Sequence, residues 1–289
     1  MKTELKLHIE KILKKKTNTK KQFSWQSVSG GSINEAYKVL NTEAKFFVKV
    51  NTISIFKNGF KEEVEGLNFL NENKTLTPNV IAYGIKNKFA YLILEWIETG
   101  NKTDTFWNNF AQQLALLHQQ KSDKFGLKTD NFMGELSQKN SYSNSFSHFF
   151  IENRLKPQVK MAYNNQLLSK THLQHFENLY AKLDAIFPTE KPTAVHGDLW
   201  SGNFIANTKQ KAVLIDPAVY YGHREIDLAM TKLFGGFSTV FYNTYNEIYP
   251  LENGFENRYE VYNLYPLLIH LNLFGKSYLH SIKSIISQF

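Results

Sequence analysis

From His196 the chain reads His-Gly-Asp-Leu-Trp-Ser-Gly-Asn, ending at Asn203, and a little further on the apolar run Val213-Leu214-Ile215 closes on Asp216. No other stretch constrains the fold as much. Asp198 and Asn203 each lie beside a glycine, so both belong to a turn. Asn203–Asn207 and Ala212–Ile215 then predict a small hairpin. A hairpin this short brings the chain back to its start and carries Asp216 to Asn203. An aspartate, an asparagine five positions later and an aspartate ending an apolar strand form the oxygen set that kinase-type phosphoryl transfer needs. One carboxylate faces the attacking hydroxyl, and two ligands serve magnesium on the nucleotide phosphates. Read singly, each is an ordinary turn or strand-end residue; the order carries the chemistry.

The same transfer needs a cation for the α- and β-phosphates, itself held by a carboxylate. Lys49 lies inside the strand Phe46-Phe47-Val48-Lys49-Val50. Alone, such a lysine marks an exposed strand edge; beside the Asp-Asn-Asp set it is the phosphate cation. The helix expected from Asn58 to Asn73 has Phe60, Val64, Leu67 and Leu70 on one face and offers Glu62, Glu63 and Glu65. Glu63 borders the apolar face and is the partner assigned to Lys49. Upstream, Ser29-Gly30-Gly31-Ser32-Ile33-Asn34 lies between two strands, where a phosphate-covering loop belongs. It is neither G-x-G-x-x-G nor a Walker loop. Gly30, Gly31 and Ser32 nevertheless permit a tight turn whose backbone N–H groups cradle phosphate oxygens.

Around these residues the pattern divides in two. Trp25–Ser29, Glu35–Leu40 and Phe46–Val50 read as short strands, and Phe89–Trp96 as a near-continuous apolar strand within a sheet. After a linker at Thr99–Thr103, the periodicity is helical over Phe106–Gln119, Phe146–Tyr163 and Leu167–Phe187. Strand character returns only at Ala194–Val195 and in the hairpin. From Glu225 the chain is helical again, with breaks at Gly235-Gly236, between Pro250 and Gly254, and at Gly275. The expectation is an α+β chain. Residues 1–98 form a small antiparallel-sheet, nucleotide-binding lobe, and residues 99–289 a larger helical lobe with the catalytic loop and acceptor site. A cleft between two such lobes is the place for a ligand.

A 289-residue chain with 42% hydrophobic and 15% aromatic residues has ample material for this core. It has no cysteine, which excludes disulfides, thiolate metal sites and a thiol nucleophile. The longest uncharged stretch, Val261 to Gly275, contains Asn263, Pro266, His270 and Asn272, so no membrane span is expected. Charges stand where a signal peptide needs an apolar run, and a cytoplasmic location is expected. The net charge of +8 draws on Lys11, Lys14, Lys15, Lys16, Lys20 and Lys21. Leu5, Ile9, Ile12 and Leu13 recur at helical spacing beside them. The lysines therefore decorate an amphipathic helix, and no nucleic-acid partner is expected.

The segments GGSINEAYKV, FFVKVN, FKEEVEGL, LILEWIE, FFIENRLKPQ, HGDLWSGN and IDPAVYYGHREIDLAMTKLFGGF together resemble the fructosamine kinase (ketosamine-3-kinase) family, over nearly the whole chain. HGDLWSGN alone indicates only the wider protein-kinase-like and aminoglycoside-phosphotransferase-like superfamily. DPAxxYGHxExDLAM followed by FGGF is much more specific. The resemblance implies a protein-kinase-like two-lobe fold with Asp198 as the catalytic aspartate and Asn203 and Asp216 as magnesium ligands. It implies Lys49–Glu63 as the lobe-bridging ion pair, and backbone groups around Glu95 and Ile97 as the adenine hinge. ATP and Mg2+ are the implied cofactors. The implied acceptor is the third hydroxyl of a fructosamine or ribulosamine, as a small molecule or on a glycated protein, and a monomer is expected.

Trp200 is expected to stack on the sugar, and His223, Arg224 and Glu225 to bind it. Asp227 either braces the catalytic loop or touches ligand. Tyr259, Tyr262 and Tyr265 read as core or groove lining. Departures from the family pattern are modest. Ser201 stands where some members have Gly, and Ser32 where some have Cys, which removes thiol regulation. Asp216 is followed by Pro217-Ala218, not Phe-Gly, and only ten residues separate it from Asp227, too few for a phosphorylated activation loop. Two other readings remain open at this point. A kinase of the same fold acting on an aminoglycoside, choline or another amino sugar should show an acidic cleft or an aromatic cage. A non-catalytic nucleotide-binding protein is disfavoured by the intact Lys49, Asp198, Asn203 and Asp216.

Overall fold

The computed structural model describes residues 3–28, 34–54, 58 and 60–289. The first ninety-odd residues supply α1 (Thr3–Thr17), β1 (Ser24–Ser27), β2 (Glu35–Leu40), β3 (Lys45–Thr52), α2 (Lys61–Glu72), β4 (Val80–Lys86) and β5 (Phe89–Glu95). The strands form one antiparallel sheet in the order β1-β2-β3-β5-β4. α1 buries Leu5, Ile9 and Leu13, which pack with Phe46, Val48, Val50, Tyr91 and Ile93 on one face of the sheet. On the other face α2 packs Val64 and Leu67 against Ala90, Leu92 and Leu94. Successive residues of a strand point to opposite faces. β5 is thus covered on both sides, which is why its sequence is almost unbroken in apolar residues. The same alternation sends Lys49 to the α2 face, opposite Leu92.

The remaining chain is mainly helical: α3 (Asp104–His118), α4 (Phe146–Phe150), α5 (Lys156–Asn164), α6 (Lys170–Tyr180), α7 (Leu183–Ile186), α8 (Glu225–Leu233), α9 (Thr239–Ile248), α10 (Phe255–Phe274) and α11 (Leu279–Ile286). Three two-stranded pieces interrupt it. β6 (Asn131–Met133) pairs with β7 (Leu136–Gln138), β8 (Thr193–Val195) with β11 (Tyr220–Gly222), and β9 (Phe204–Ala206) with β10 (Ala212–Leu214). Phe106, Trp107 and Phe110 of α3 and Phe241 of α9 bury Phe204, the first residue of β9. The hairpin after Asn203 is thereby anchored in an aromatic core.

Two of the expected helices are broken. The segment 146–163 contains a π-helical turn at Ile151–Leu155, where Arg154 is fully buried. The segment 167–187 stops at Tyr180 and resumes for a single turn. The pairs β6–β7 and β8–β11 were not expected as pairs, because three-residue strands carry no readable period.

Candidate active site

β8 delivers the chain to His196 and Gly197. Gly197 has φ +82°, and a Cβ there would lie 2.1 Å from the Ala218 carbonyl oxygen, so only glycine fits. The turn that follows is closed by the Trp200 N–H donating to the Asp198 carbonyl (3.2 Å) and the Asn203 N–H to the Trp200 carbonyl (3.0 Å). The Asn203 amide nitrogen donates to both the carbonyl and the Oδ2 of Asp198, each at 2.8 Å. That commits the donors of Asn203 and leaves its Oδ1 with no donor among the described residues. Burial pushes the Asp198 carboxyl up to about 7; the Asn203 hydrogen bond opposes the rise and the charge of Asp227 adds to it.

Across the hairpin the Ile215 N–H donates to the Asn203 carbonyl at 3.1 Å. His196 ties the two ends together. Its Nδ1 lies 3.2 Å from the Asp198 N–H, which it accepts, so its proton sits on Nε2, 3.0 Å from the Ile215 carbonyl. Burial holds this imidazole below its ordinary range, in keeping with a neutral ring. Asp216 takes a left-handed φ of 53°, a conformation aspartate tolerates better than most residues. Its carboxylate meets Lys49, whose Nζ also bonds Glu63 Oε1 at 2.8 Å. The helix carrying Glu63 rests directly on the next residue: a Cβ on Gly66 would lie 2.9 Å from Pro217 Cγ. Lys49, Glu63 and Asp216 thus form one cluster, and Asp198 and Asn203 another, joined through His196 and Ile215.

Asp227 is the brace. Its Oδ2 accepts the His196 N–H at 2.8 Å and its Oδ1 the Gly197 N–H at 2.9 Å. His118 Nε2 lies 3.2 Å from Oδ2, and His118 Nδ1 2.7 Å from the Tyr245 hydroxyl. Both residues escaped the sequence reading, because α3 and α9 approach α8 only in the folded chain. Arg154 was also missed. Its guanidinium lies 4.0 Å over the Tyr220 ring and donates to Asn140 Oδ1 at 2.8 Å. Asn140 bonds Asn131, which holds the Val219 carbonyl, while Gln138 holds that of Ala218. This network supports the backbone just beyond Asp216.

Gly30, Gly31 and Ser32 lie outside the described residues. Glu95 ends β5, its N–H bonded to the Asn79 carbonyl at 3.0 Å. No hydrogen bond among the described residues uses the Ile97 N–H. Trp200 is half-buried, with its ring against Gly202 and edge-on to Phe234 at 5.9 Å. The expectation that His223, Arg224 and Glu225 bind substrate is corrected, since all three are at most 2% exposed. His223 stacks on Phe146 at 3.7 Å and meets the Tyr262 hydroxyl at 3.1 Å. Arg224 donates to Glu190 (2.9 Å) and to the carbonyls of Tyr249 and Pro250 (2.7 and 2.6 Å). Glu225 accepts from Arg258 Nε at 2.9 Å. They fix the entry to α8. Tyr262 and Tyr265 are core residues and Tyr259 is half-buried.

The donor set fits magnesium. Asn203 Oδ1 is uncommitted, Asp216 offers a carboxylate, and magnesium takes few protein oxygens beside nucleotide phosphates. Among the described residues no three His, Cys, Asp or Glu gather into a metal cluster of another kind.

The family model for fructosamine kinase matches residues 3–289. A Lactiplantibacillus plantarum protein named a probable ketoamine kinase is 39% identical over 269 residues, covering 91% of this chain and 93% of that one. The chloroplastic protein-ribulosamine 3-kinase of Arabidopsis thaliana is 35% identical over 269 residues, 91% of this chain and 81% of its own. A crystal structure from Haemophilus somnus 129PT, provisionally named a fructosamine-3-kinase, superposes with a TM-score of 0.87 at 30% identity and covers 97% of this chain and 96% of that one. A mutant aminoglycoside phosphotransferase crystallised with AMP-PNP and hygromycin B shares the fold, with a TM-score of 0.65 at 15% identity over 96% of this chain and 97% of that one.

Proposed function

The chain belongs to the fructosamine kinase family, and from that premise we propose that it transfers the γ-phosphoryl group of ATP to the third hydroxyl of a ketosamine. The observation that carries the assignment of roles is Lys49 held between Glu63 and Asp216, beside an intact Asp198–Asn203 turn. Lys49, oriented by Glu63, neutralises the α- and β-phosphates. The backbone at Glu95 and Ile97 receives adenine. Asn203 Oδ1 and the Asp216 carboxylate would hold magnesium, which when bound neutralises charge on the β- and γ-phosphates. Asp198 accepts the hydrogen bond of the sugar hydroxyl and takes its proton as that oxygen attacks phosphorus in line. The bond to the β–γ bridging oxygen breaks, and ADP leaves. Trp200 packs on the C–H face of the sugar.

The product carries its phosphate on C3, next to the C2 keto group. Enolisation towards C1 gives an enaminol to which that phosphate is allylic. The enaminol expels it, water hydrolyses the resulting C1 imine and the amine is freed, so the reaction serves deglycation. The chain supplies the whole donor set by itself and, among the described residues, no helix is long and apolar enough to cross a membrane. We further propose that it works as a monomer in the cytoplasm. The test is a panel of fructosamine, ribulosamine, a 3-deoxy ketosamine, choline and kanamycin with ATP and Mg2+. Turnover is expected with a ketosamine and absent with its 3-deoxy analogue. Faster turnover of choline or kanamycin would overturn the acceptor assignment and leave the phosphotransferase chemistry standing.

A further inference from the structure

Trp200 is the first of a run of aromatic rings that leads away from the catalytic turn. Its ring meets Phe234 edge-on at 5.9 Å, Phe234 lies 5.1 Å from His270, and His270 lies 5.5 Å from Phe274 and 5.0 Å from Tyr278. The run is held to the catalytic loop at its inner end. Two residues after Phe234 the chain sits at Gly236, where a Cβ would come within 2.9 Å of Ser201 Cβ. The outer rings are not core: Phe234 is 40% and Phe274 50% exposed. His270 adds no charge. Its Nδ1 lies 2.7 Å from the Pro266 carbonyl, and burial holds the ring below the ordinary imidazole range. A contiguous apolar surface that begins beside a catalytic residue is a contact surface.

We propose that this ledge binds the substituent carried on the amine of the ketosamine, and that the enzyme favours adducts whose amine bears an aromatic or large apolar group. The inference rests on the kinase reading above. In a ketosamine the amine is on C1 and the reacting hydroxyl on C3, so placing that hydroxyl at Asp198 brings the nitrogen close to the catalytic turn. A substituent that leaves past Trp200 meets this ledge. The polyol end of the sugar needs fixed polar partners, which Phe234, Phe274 and Tyr278 ring faces do not offer; an apolar substituent needs only surface.

The test uses the full chain with ATP and Mg2+ and four acceptors: fructose and ribulose, each condensed with methylamine and with benzylamine as the ketosamine. Within the ketose that is turned over, kcat/KM is expected to be about tenfold higher for the benzylamine adduct. Phe274→Ser and, separately, Phe234→Ser should bring that ratio close to one. Among the described residues Phe274 has ring contacts only with His270 and Tyr278, and it is half exposed, so its replacement leaves the core packed. Equal wild-type values for the two amines, or a preference that survives both substitutions, would overturn the ledge while leaving the kinase reading intact. A dimer that Phe274→Ser dissociates would also overturn it, by giving the rings a second copy as their occupant. Failure of all four acceptors would bring down the acceptor reading, and the ledge with it.

Discussion

Asp198→Asn should make the protein more stable and almost inactive, and the two effects have one cause. The carboxyl rises from 3.8 to about 7, chiefly through burial. Between those values the folded chain holds a proton that the unfolded chain has released. Stability therefore falls as pH rises through the window, and the full cost is present above it. Three units correspond to about 4 kcal/mol. Asp198 keeps part of its surface in water, which screens the charge, so a gain of about 2 kcal/mol is expected from the neutral amide at pH 8. For a chain of 289 residues that is a rise in Tm of roughly 3 °C. The gap should shrink steadily as the pH is lowered towards 4, where the wild-type carboxyl is itself neutral. Thermal unfolding of the ligand-free protein at pH 8, 6 and 4.5 measures it. Steady-state kinetics should show kcat reduced by roughly 10²–10⁴ with the Kd for ATP nearly unchanged. A variant less stable than wild type at pH 8, or a gap independent of pH, would refute the argument from burial. Equal loss of ATP binding would instead place Asp198 on the nucleotide.

In the wild type, the acid limb of kcat/KM should fall near pH 7, since only the ionised Asp198 accepts the proton; a limb near pH 4 would sink this. Asp216→Asn, which keeps a side chain at ease in the left-handed backbone, should raise the magnesium concentration needed for half-maximal rate by more than about 100-fold, as read by a metal titration. Unchanged magnesium dependence would remove Asp216 from the metal. Trp200→Ala should weaken the acceptor by about 1–3 kcal/mol in kcat/KM, on the scale of base–aromatic stacking, and leave the KM for ATP nearly unchanged. Asp227→Ala strands the buried N–H groups of His196 and Gly197 and should cost about 2–5 kcal/mol in denaturant unfolding; a loss below 1 kcal/mol would show that the brace carries no strain.

The legible parts of this molecule are those whose geometry is local. Asp198 and Asn203 meet within one turn, which needs a glycine at 197, and the hairpin that follows returns Ile215, the neighbour of Asp216, to the Asn203 carbonyl, so this arrangement could be read from a short segment. Lys49 and Glu63 are farther apart, yet the two-residue period of β3 and the apolar stripe of α2 orient each without reference to the other. Where partners come from distant segments the sequence offers no such signal. His118 and Tyr245 reach Asp227 from two other helices. Arg154 turns inward at a π-helical turn that interrupts an otherwise uniform helical pattern.

The stretch His223-Arg224-Glu225 shows the limit most clearly. Three polar side chains in a family motif read naturally as ligand contacts, but a donor has only so many bonds to give. Arg224 has committed its guanidinium to Glu190 and two carbonyls, and Glu225 holds the Arg258 guanidinium with its carboxylate. A sugar could reach them only by breaking buried, charge-assisted hydrogen bonds, and the partner left behind would be an unpaired buried charge, a cost of several kcal/mol. Trp200 has no comparable commitment among the described residues, and its ring is only half-buried. We therefore propose Trp200 for the acceptor contact, while the buried triplet holds the entry to α8, whose Asp227 braces the catalytic loop.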